Sequence, residues 1–207
     1  MRLLPRFALP VAVLAWTAVV LPPARVLEAG PQSATATLSE PASAPGEAGD
    51  AGPALARTVL FVRHAEKLSL AIPDPALSPE GEARAQVLAE TLREAGVTHL
   101  FSSEFVRTRT TLAPLAEALG LEVQVIPARD GGAQLEALRA LPPGAVAVVS
   151  GHSNTTPAMV RALGGDAPPS LDESVYDRLF VVTLPSGATP GSPTTSLTLR
   201  YGAFSGG

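Results

Sequence analysis

Two apolar runs that each stop on a histidine constrain this chain more than any other feature. Residues 58–62 (TVLFV) lead into Arg63 and His64, and residues 145–149 (AVAVV) are followed three positions later by His152. A short run of β-favouring residues with no polar break is typical of a strand buried on both faces of a parallel sheet. Ligands bind beyond the carboxyl ends of such strands. The sequence therefore predicts a sheet that presents both histidines at one edge.

The rest of the pattern alternates strands with helices. Ser78 before Pro79 is typical of a helix start, Gly120 of a helix end, and Pro157 is expected to open a later helix. Predicted strands cover residues 58–62, 98–101, 122–126, 146–149, 179–184 and 196–201. The last two have no helix between them and are expected to form an antiparallel pair. The predicted fold is a three-layer α/β/α sandwich around a mainly parallel sheet with an antiparallel edge. Residues 164–177 are predicted to form a loop that borders the site.

Three segments are predicted along the 207 residues. Residues 1–28 have a basic start and an apolar stretch, as in a signal peptide, although the cleavage point is not fixed. That stretch, residues 7–21, is shorter than the ~20 residues of a membrane-spanning helix. Export to the periplasm or the extracellular space is therefore expected, and an uncleaved anchor is the alternative. Residues 29–56, rich in Ala, Pro and Ser, are predicted to be a disordered linker, and residues 57–207 the folded domain.

Composition excludes several classes of protein. The chain has no cysteine, so it is neither a disulfide scaffold nor a thiol enzyme. Its net charge is −4, its arginines are dispersed, and Lys67 is its only lysine. A nucleic-acid partner is not expected, because no basic cluster with interleaved aromatic residues occurs. No stable membrane span is expected after processing, and the sequence does not indicate an oligomeric state.

Four motifs in order resemble those of the histidine phosphatase superfamily, also called phosphoglycerate-mutase-like. The family's Arg-His-Gly signature is similar to the RHAEK sequence at residues 63–67, with Ala65 in place of the glycine. Its helix-start motif resembles LSPEGEARA at 77–85, and its Ser-Ser-x-x-x-Arg-x-x-x-Thr element resembles residues 102–111. Gly151-His152-Ser153 stands where the family has its second histidine. The resemblance covers about residues 57–201 and is nearest to a compact bacterial branch that includes phosphohistidine phosphatases.

The resemblance implies a pocket of two histidines and two arginines. A neutral imidazole can attack phosphorus and form a phosphohistidine, and His64 is the predicted nucleophile. Charge on the transferring group falls on its non-bridging oxygens, so fixed donors must converge there. Arg63 and Arg107 are predicted to bind those oxygens, with His152 as a further donor. No metal or other cofactor is expected.

The proton donor for the leaving group is less clearly marked. Glu66, beside the nucleophile, and Asp130, in a glycine-containing loop, are the tentative assignments. Glu104 and Glu136 are further candidates. Asn154 is tentatively a substrate contact, with a helix-capping role for Ser153-Asn154 as the alternative.

The predicted function is an exported, metal-independent phosphatase. It would hydrolyse phosphomonoesters or a phosphorylated side chain through a phosphohistidine on His64, so its partners would be small phosphorylated substrates or phosphoproteins. A catalytically weak phosphate-binding module of the same fold is the alternative. A metal site made of His64, Glu66 and His152 is a third possibility, although the spacing fits no standard ligand motif and nearby arginines would repel a cation.

Overall fold

The computed structural model describes residues 55–69, 71–185 and 194–206. The predicted signal peptide, residues 1–28, lies outside them, as does all of the predicted linker except residues 55 and 56. Those two residues are exposed and lie outside helices and strands. No helix within the described ranges is long and apolar enough to span a membrane.

Within the residues that the structure describes, ten elements occur in the predicted order. They are β1 (Arg57–Arg63), α1 (Pro79–Leu92), β2 (His99–Ser102), α2 (Val106–Leu119), β3 (Val123–Val125), α3 (Gly131–Arg139), β4 (Val146–Gly151), α4 (Thr155–Ala162), β5 (Arg178–Leu184) and β6 (Thr195–Arg200). Each predicted strand is present, with ends that differ by at most two residues.

The strands form one six-stranded sheet in the order β3-β2-β4-β1-β5-β6. The pairs β1–β4, β2–β4 and β2–β3 are parallel, whereas β1–β5 and β5–β6 are antiparallel. The mainly parallel sheet with an antiparallel edge is therefore confirmed. The two strands that precede the histidines, β1 and β4, are neighbours at its centre.

Strand β1 contributes side chains to both hydrophobic cores. Val59 and Phe61 pack in a cluster on the face covered by α3 and α4. Leu60 and Val62 pack in a second cluster with apolar residues of α1 and α2. The absence of polar residues in this run is explained by burial on both faces, as in other parallel sheets.

Helix boundaries largely follow the sequence signals. The Ser78 side chain caps α1 by accepting a hydrogen bond from the Gly81 amide at 3.2 Å, and Gly120 ends α2 in the left-handed conformation at φ 64°. The expectation that Pro157 opens α4 is wrong by two residues, because the helix begins at Thr155. Proline is tolerated there because amides of the first turn have no partner within the helix.

The N-terminus of α1 lies directly against the loop that follows β1. The Ser78 amide donates to the Glu66 carbonyl at 2.9 Å, and a Cβ added to Gly81 would lie 2.3 Å from that same oxygen. A side chain at position 81 would therefore push the helix away from the loop. Ala65, which replaces the family's glycine, is fully buried and has a negative φ, so its side chain introduces no backbone strain.

Candidate active site

The register of β1 and β4 brings the two histidines together. Arg63 pairs with Gly151, the last residues of the two strands, and the His64 amide donates to the Gly151 carbonyl at 2.9 Å. The ring centroids of His64 and His152 are 5.5 Å apart. Residues separated by almost ninety positions in the chain therefore meet at the carboxyl edge of the sheet.

His64 is held in one orientation by the loop backbone. Its Nδ1 lies 2.8 Å from the Ala65 carbonyl oxygen, and the side chain is buried, with 2% of its surface exposed. A carbonyl can only accept, so Nδ1 carries the proton and Nε2 keeps its lone pair. The Ala65 amide in turn donates to the Thr111 hydroxyl at 2.9 Å, which fixes this part of the loop.

Burial keeps the His64 imidazole neutral. Desolvation is the largest influence and lowers its pKa from 6.5 to about 3, although the bond to the Ala65 carbonyl opposes the change. The positive charges of Arg63 and Arg107 add to the decrease. A neutral ring with one fixed nitrogen is the form that can act as a nucleophile.

Arg63 is the largest fully buried side chain of the described residues, with 1% of its surface exposed. Its Nη1 donates to the Asp172 and Val175 carbonyls at 2.8 and 3.1 Å. Its Nη2 binds Glu173 Oε2 at 2.8 Å, and its guanidinium stacks on the Tyr176 ring at 4.2 Å. The predicted loop at residues 164–177 therefore borders the site and is tied to it by Arg63.

Arg107 enters the site from the first turn of α2. Its guanidinium lies 4.3 Å from the Phe105 ring centroid, and its Nη1 contacts the Pro73 carbonyl and Asp74 at 3.2 and 3.3 Å. Its Nη2 lies 3.5 Å from His152 Nδ1. Arginine can only donate, so this contact requires a lone pair on Nδ1 of the histidine.

A chain of hydroxyl groups independently gives the same tautomer for His152. Its Nε2 is 3.0 Å from Ser103 Oγ, which is 2.8 Å from Thr108 Oγ1, and the threonine hydroxyl donates to the Phe105 carbonyl at 2.8 Å. Because a carbonyl only accepts, each donor in this chain points away from the histidine. Nε2 of His152 is thus protonated, and Nδ1 faces Arg107.

His152 is also neutral in the unliganded protein. Burial is the main cause that lowers its pKa from 6.5 to about 4, followed by the charge of Arg107. A bound dianion would favour the protonated form, so His152 can become a donor when an anion is present.

All four predicted residues line one open cavity of about 400 Å³. These are Arg63, His64, Arg107 and His152. The structure thus brings the four residues together around one cavity. Asn154 lines the same cavity, which agrees with the tentative substrate contact, and its side chain makes no capping hydrogen bond to α4.

Glu66 is not in this cavity, so its tentative assignment as the proton donor is corrected. Both of its carboxylate oxygens bind the buried Arg84 at 2.7 to 2.9 Å. Arg84 also donates to the Tyr201 carbonyl. The pair lines a separate cavity beside α1. Although Glu66 is close to His64 in sequence, its side chain therefore lies on the other side of the loop. The proposed metal trio of His64, Glu66 and His152 is therefore not brought together either.

Asp130 is likewise corrected. It is exposed, and its side chain caps α3 by accepting from the Ala133 amide at 2.9 Å. Glu104 accepts from the Ala128 amide at 2.8 Å. Neither carboxylate lines the cavity, and the same is true of Glu136.

Sequence reasoning missed the carboxylate that does line the cavity, Glu173. It lies in the loop between α4 and β5, whose polar composition indicated proximity to the site but singled out no residue. Ser103, which fixes the His152 tautomer, lies within the third motif at residues 102–111, but the motif pattern indicates no role for it. Lys67 and Arg129 complete the cationic lining.

Comparison with known proteins agrees with this geometry. Residues 59–128 match the family model of the histidine phosphatase superfamily, branch 1. Over 75 residues the chain is 36% identical to a probable phosphoglycerate mutase GpmB of Erwinia tasmaniensis, covering 33% of this chain and 35% of that protein. It is also 37% identical over 75 residues to the PE-PGRS family protein PE_PGRS11 of Mycobacterium tuberculosis, covering 32% of this chain and 13% of the relative. The chain thus spans only about a third and an eighth of these two curated relatives.

Solved structures show the same fold over more of the chain. The protein histidine phosphatase SixA complexed with tungstate superposes with a TM-score of 0.57 at 22% identity, covering 69% of this chain and 96% of that one. A mycobacterial glucosyl-3-phosphoglycerate phosphatase gives a TM-score of 0.52 at 19% identity, covering 62% and 90%. The chain therefore matches the histidine phosphatase superfamily over residues 59–128, and the solved structures show the same fold.

The two cavity histidines are expected to stay neutral in the unliganded protein from pH 7 down to about pH 5, because their pKa values lie near 3 and 4. Both histidines of the unfolded chain take up protons below about pH 6.5, so the unfolded state binds more protons and folding stability falls as the pH drops through that range toward 3. A ¹⁵N NMR titration checks this, with the third ring identified by His99→Gln. A midpoint near 6.5 for either cavity histidine would contradict it.

Proposed function

We propose that the protein is a phosphatase that hydrolyses phosphomonoesters or a phosphorylated side chain through a phosphohistidine on His64. The observation that carries the proposal is the single cavity in which the neutral His64, with Nδ1 fixed, faces Arg63, Arg107 and His152. A nucleophile and several donors converging on one tetrahedral group are the requirements of phosphoryl transfer.

In the first step, Nε2 of His64 bonds to phosphorus as the bond to the leaving oxygen breaks. The leaving oxygen keeps the electron pair of that bond and takes a proton from water in the open cavity. Arg63 and Arg107 donate to the non-bridging oxygens, on which charge accumulates. His152, protonated once the anion is bound, adds a third donor. In the second step, water attacks the phosphohistidine, the P–N bond breaks, and neutral His64 and inorganic phosphate are released.

The names of similar proteins support this class of reaction. SixA is described as a protein histidine phosphatase, and the mycobacterial protein as a glucosyl-3-phosphoglycerate phosphatase. We propose that the chain is nearest to the compact bacterial branch, because only ten residues separate Lys67 from Ser78. The arginines in the cavity oppose cation binding, so we further propose that turnover needs no metal and persists in EDTA.

A catalytically weak phosphate-binding module is the second candidate, and the positions of Glu66 and Asp130 favour it. Neither carboxylate lines the cavity, so neither of the two residues predicted to protonate a leaving group is in position to do so. Such a module would bind vanadate but release no p-nitrophenol from p-nitrophenyl phosphate.

Export is part of the proposal and rests on the N-terminal sequence. A basic start followed by a short apolar stretch supports secretion and removal of the signal. When the full chain is expressed in a bacterium, mass spectrometry of the periplasmic or extracellular protein is expected to find a shortened N-terminus. Intact chain retained in the membrane fraction would instead support the anchor.

Phosphate is expected to become covalently attached to His64 during turnover. The test is incubation with a ³²P-labelled phosphomonoester followed by an alkaline quench, which preserves the acid-labile phosphohistidine. Wild type should retain label, and His64→Ala should retain none. His99→Ala is the matched control, because His99 stacks on Phe101 in β2 and does not line the cavity. Label that persists in His64→Ala would remove His64 as the nucleophile.

Arg107→Ala is expected to lower kcat by roughly 10²- to 10³-fold, because one fixed donor to the transferring group is lost; this corresponds to roughly 3–4 kcal/mol of transition-state stabilisation. Arg109→Ala provides the comparison, since Arg109 is an exposed arginine of the same helix. Steady-state kinetics with p-nitrophenyl phosphate distinguish the two variants. Near-normal kcat in Arg107→Ala would place that residue outside the site.

A further inference from the structure

The carboxylate of Glu173 is bound to cationic groups of the phosphate cavity. Its Oε2 lies 2.8 Å from Arg63 Nη2 and 3.6 Å from Lys67 Nζ, and its Oε1 accepts from Ser153 Oγ at 3.0 Å. Among the described residues, it is the one acidic side chain that lines the cavity. Neither Glu66 nor Asp130 has such contacts.

The carboxylate of Glu173 occupies an N–H group of Arg63 that could otherwise bind an anion. Both Nη1 hydrogens are used by the carbonyls of Asp172 and Val175, which leaves Nη2 and Nε for an anion. Nε is buried and has no partner, whereas Nη2 is bound by Glu173. Nε–H and an Nη2–H form one fork of a guanidinium, which is suited to bidentate binding of phosphate oxygens. Glu173 therefore occupies one arm of this fork, Nη2, and leaves the other arm, Nε, without a partner.

Glu173 can leave this position without a change in the loop backbone. Its side chain is 66% exposed, so a rotated carboxylate is solvated by water. The loop itself is held by other bonds, namely those from Arg63 Nη1 and from the Leu171 amide to the Ser153 carbonyl at 2.8 Å. The carboxylate can therefore swing away while the loop backbone keeps its place.

We propose that Glu173 is an intramolecular ligand of the phosphate cavity, which the phosphoryl group of a substrate must displace. This inference rests on the proposed function. A phosphate dianion gains more from the arginines than the single carboxylate does, whereas a monoanion gains no advantage in charge. Glu173 would thus determine specificity by excluding weaker anions from Arg63.

The charge state of Glu173 is consistent with this role and not with that of a proton donor. Although burial raises its pKa, the Ser153 hydroxyl and the charges of Arg63 and Lys67 outweigh that effect and lower the pKa overall. The group is therefore a carboxylate, the form that pairs with arginine, and has no proton to give to a leaving group.

Calorimetric titration with inorganic phosphate tests the proposal without requiring turnover. Glu173→Gln is expected to bind phosphate about tenfold more tightly than wild type, the order expected when one charge-assisted hydrogen bond no longer competes. Glu104→Gln is the matched control, because it removes an exposed charge whose field reaches His152 but which does not line the cavity. Equal gains in both variants, or an unchanged or weaker affinity in Glu173→Gln, would overturn the proposal.

Kinetics separate displacement from proton donation. Glu173→Gln is expected to lower KM by a similar factor for p-nitrophenyl phosphate and phenyl phosphate. The ratio of the kcat values for these two substrates is expected to be the same as in wild type. A larger fall of kcat for phenyl phosphate, the poorer leaving group, would identify Glu173 as a proton donor and overturn the inference. Tighter phosphate binding by Glu173→Gln without turnover by any form of the protein would contradict only the proposed phosphatase activity. Failure of wild type and both variants to bind phosphate would refute both.

Discussion

The parallel pairing of β1 with β4 is the constraint on which the site depends. The register puts Arg63 beside Gly151, and the first amide beyond β1 bonds to the last carbonyl of β4. A shift of one residue would turn each strand's core side chains to the opposite face, because side chains alternate along a strand. Both faces are filled by separate apolar clusters, so the same packing that stabilises the sheet also sets the separation of the two imidazoles.

Charge in the cavity is arranged around two imidazoles that are kept neutral. Burial and the neighbouring guanidinium groups disfavour protonation of His64 and His152 alike. Fixed positive charge is supplied by arginine, which stays protonated throughout the physiological range. This division separates the nucleophile from the donors, and it makes His152 responsive to the arrival of an anion.

Much of this arrangement could be predicted because it is local in sequence. The run before His64, the serine cap at Ser78 and the left-handed Gly120 each carry their own signal, and their order along the chain indicated the fold. The positions of acidic side chains could not be obtained in this way. Glu66 is adjacent to His64 but points to Arg84 across the loop, whereas Glu173 reaches Arg63 from 110 positions away. A carboxylate binds the arginine that the tertiary fold brings near it. The separation of two residues in the sequence does not indicate which arginine that is.

The hydroxyl chain behind His152 has a direction. Each donor points from the ring toward the Phe105 carbonyl, and Ser103 and Thr108 are both buried. Such a chain ends on a group that cannot pass hydrogen onward, so it is not a conduit to bulk water. Any hydrogen ion that His152 gains or loses must cross the open mouth on the Nδ1 side. The rear of the site is thus closed to proton transfer, and His152 exchanges protons only on the side that faces the cavity.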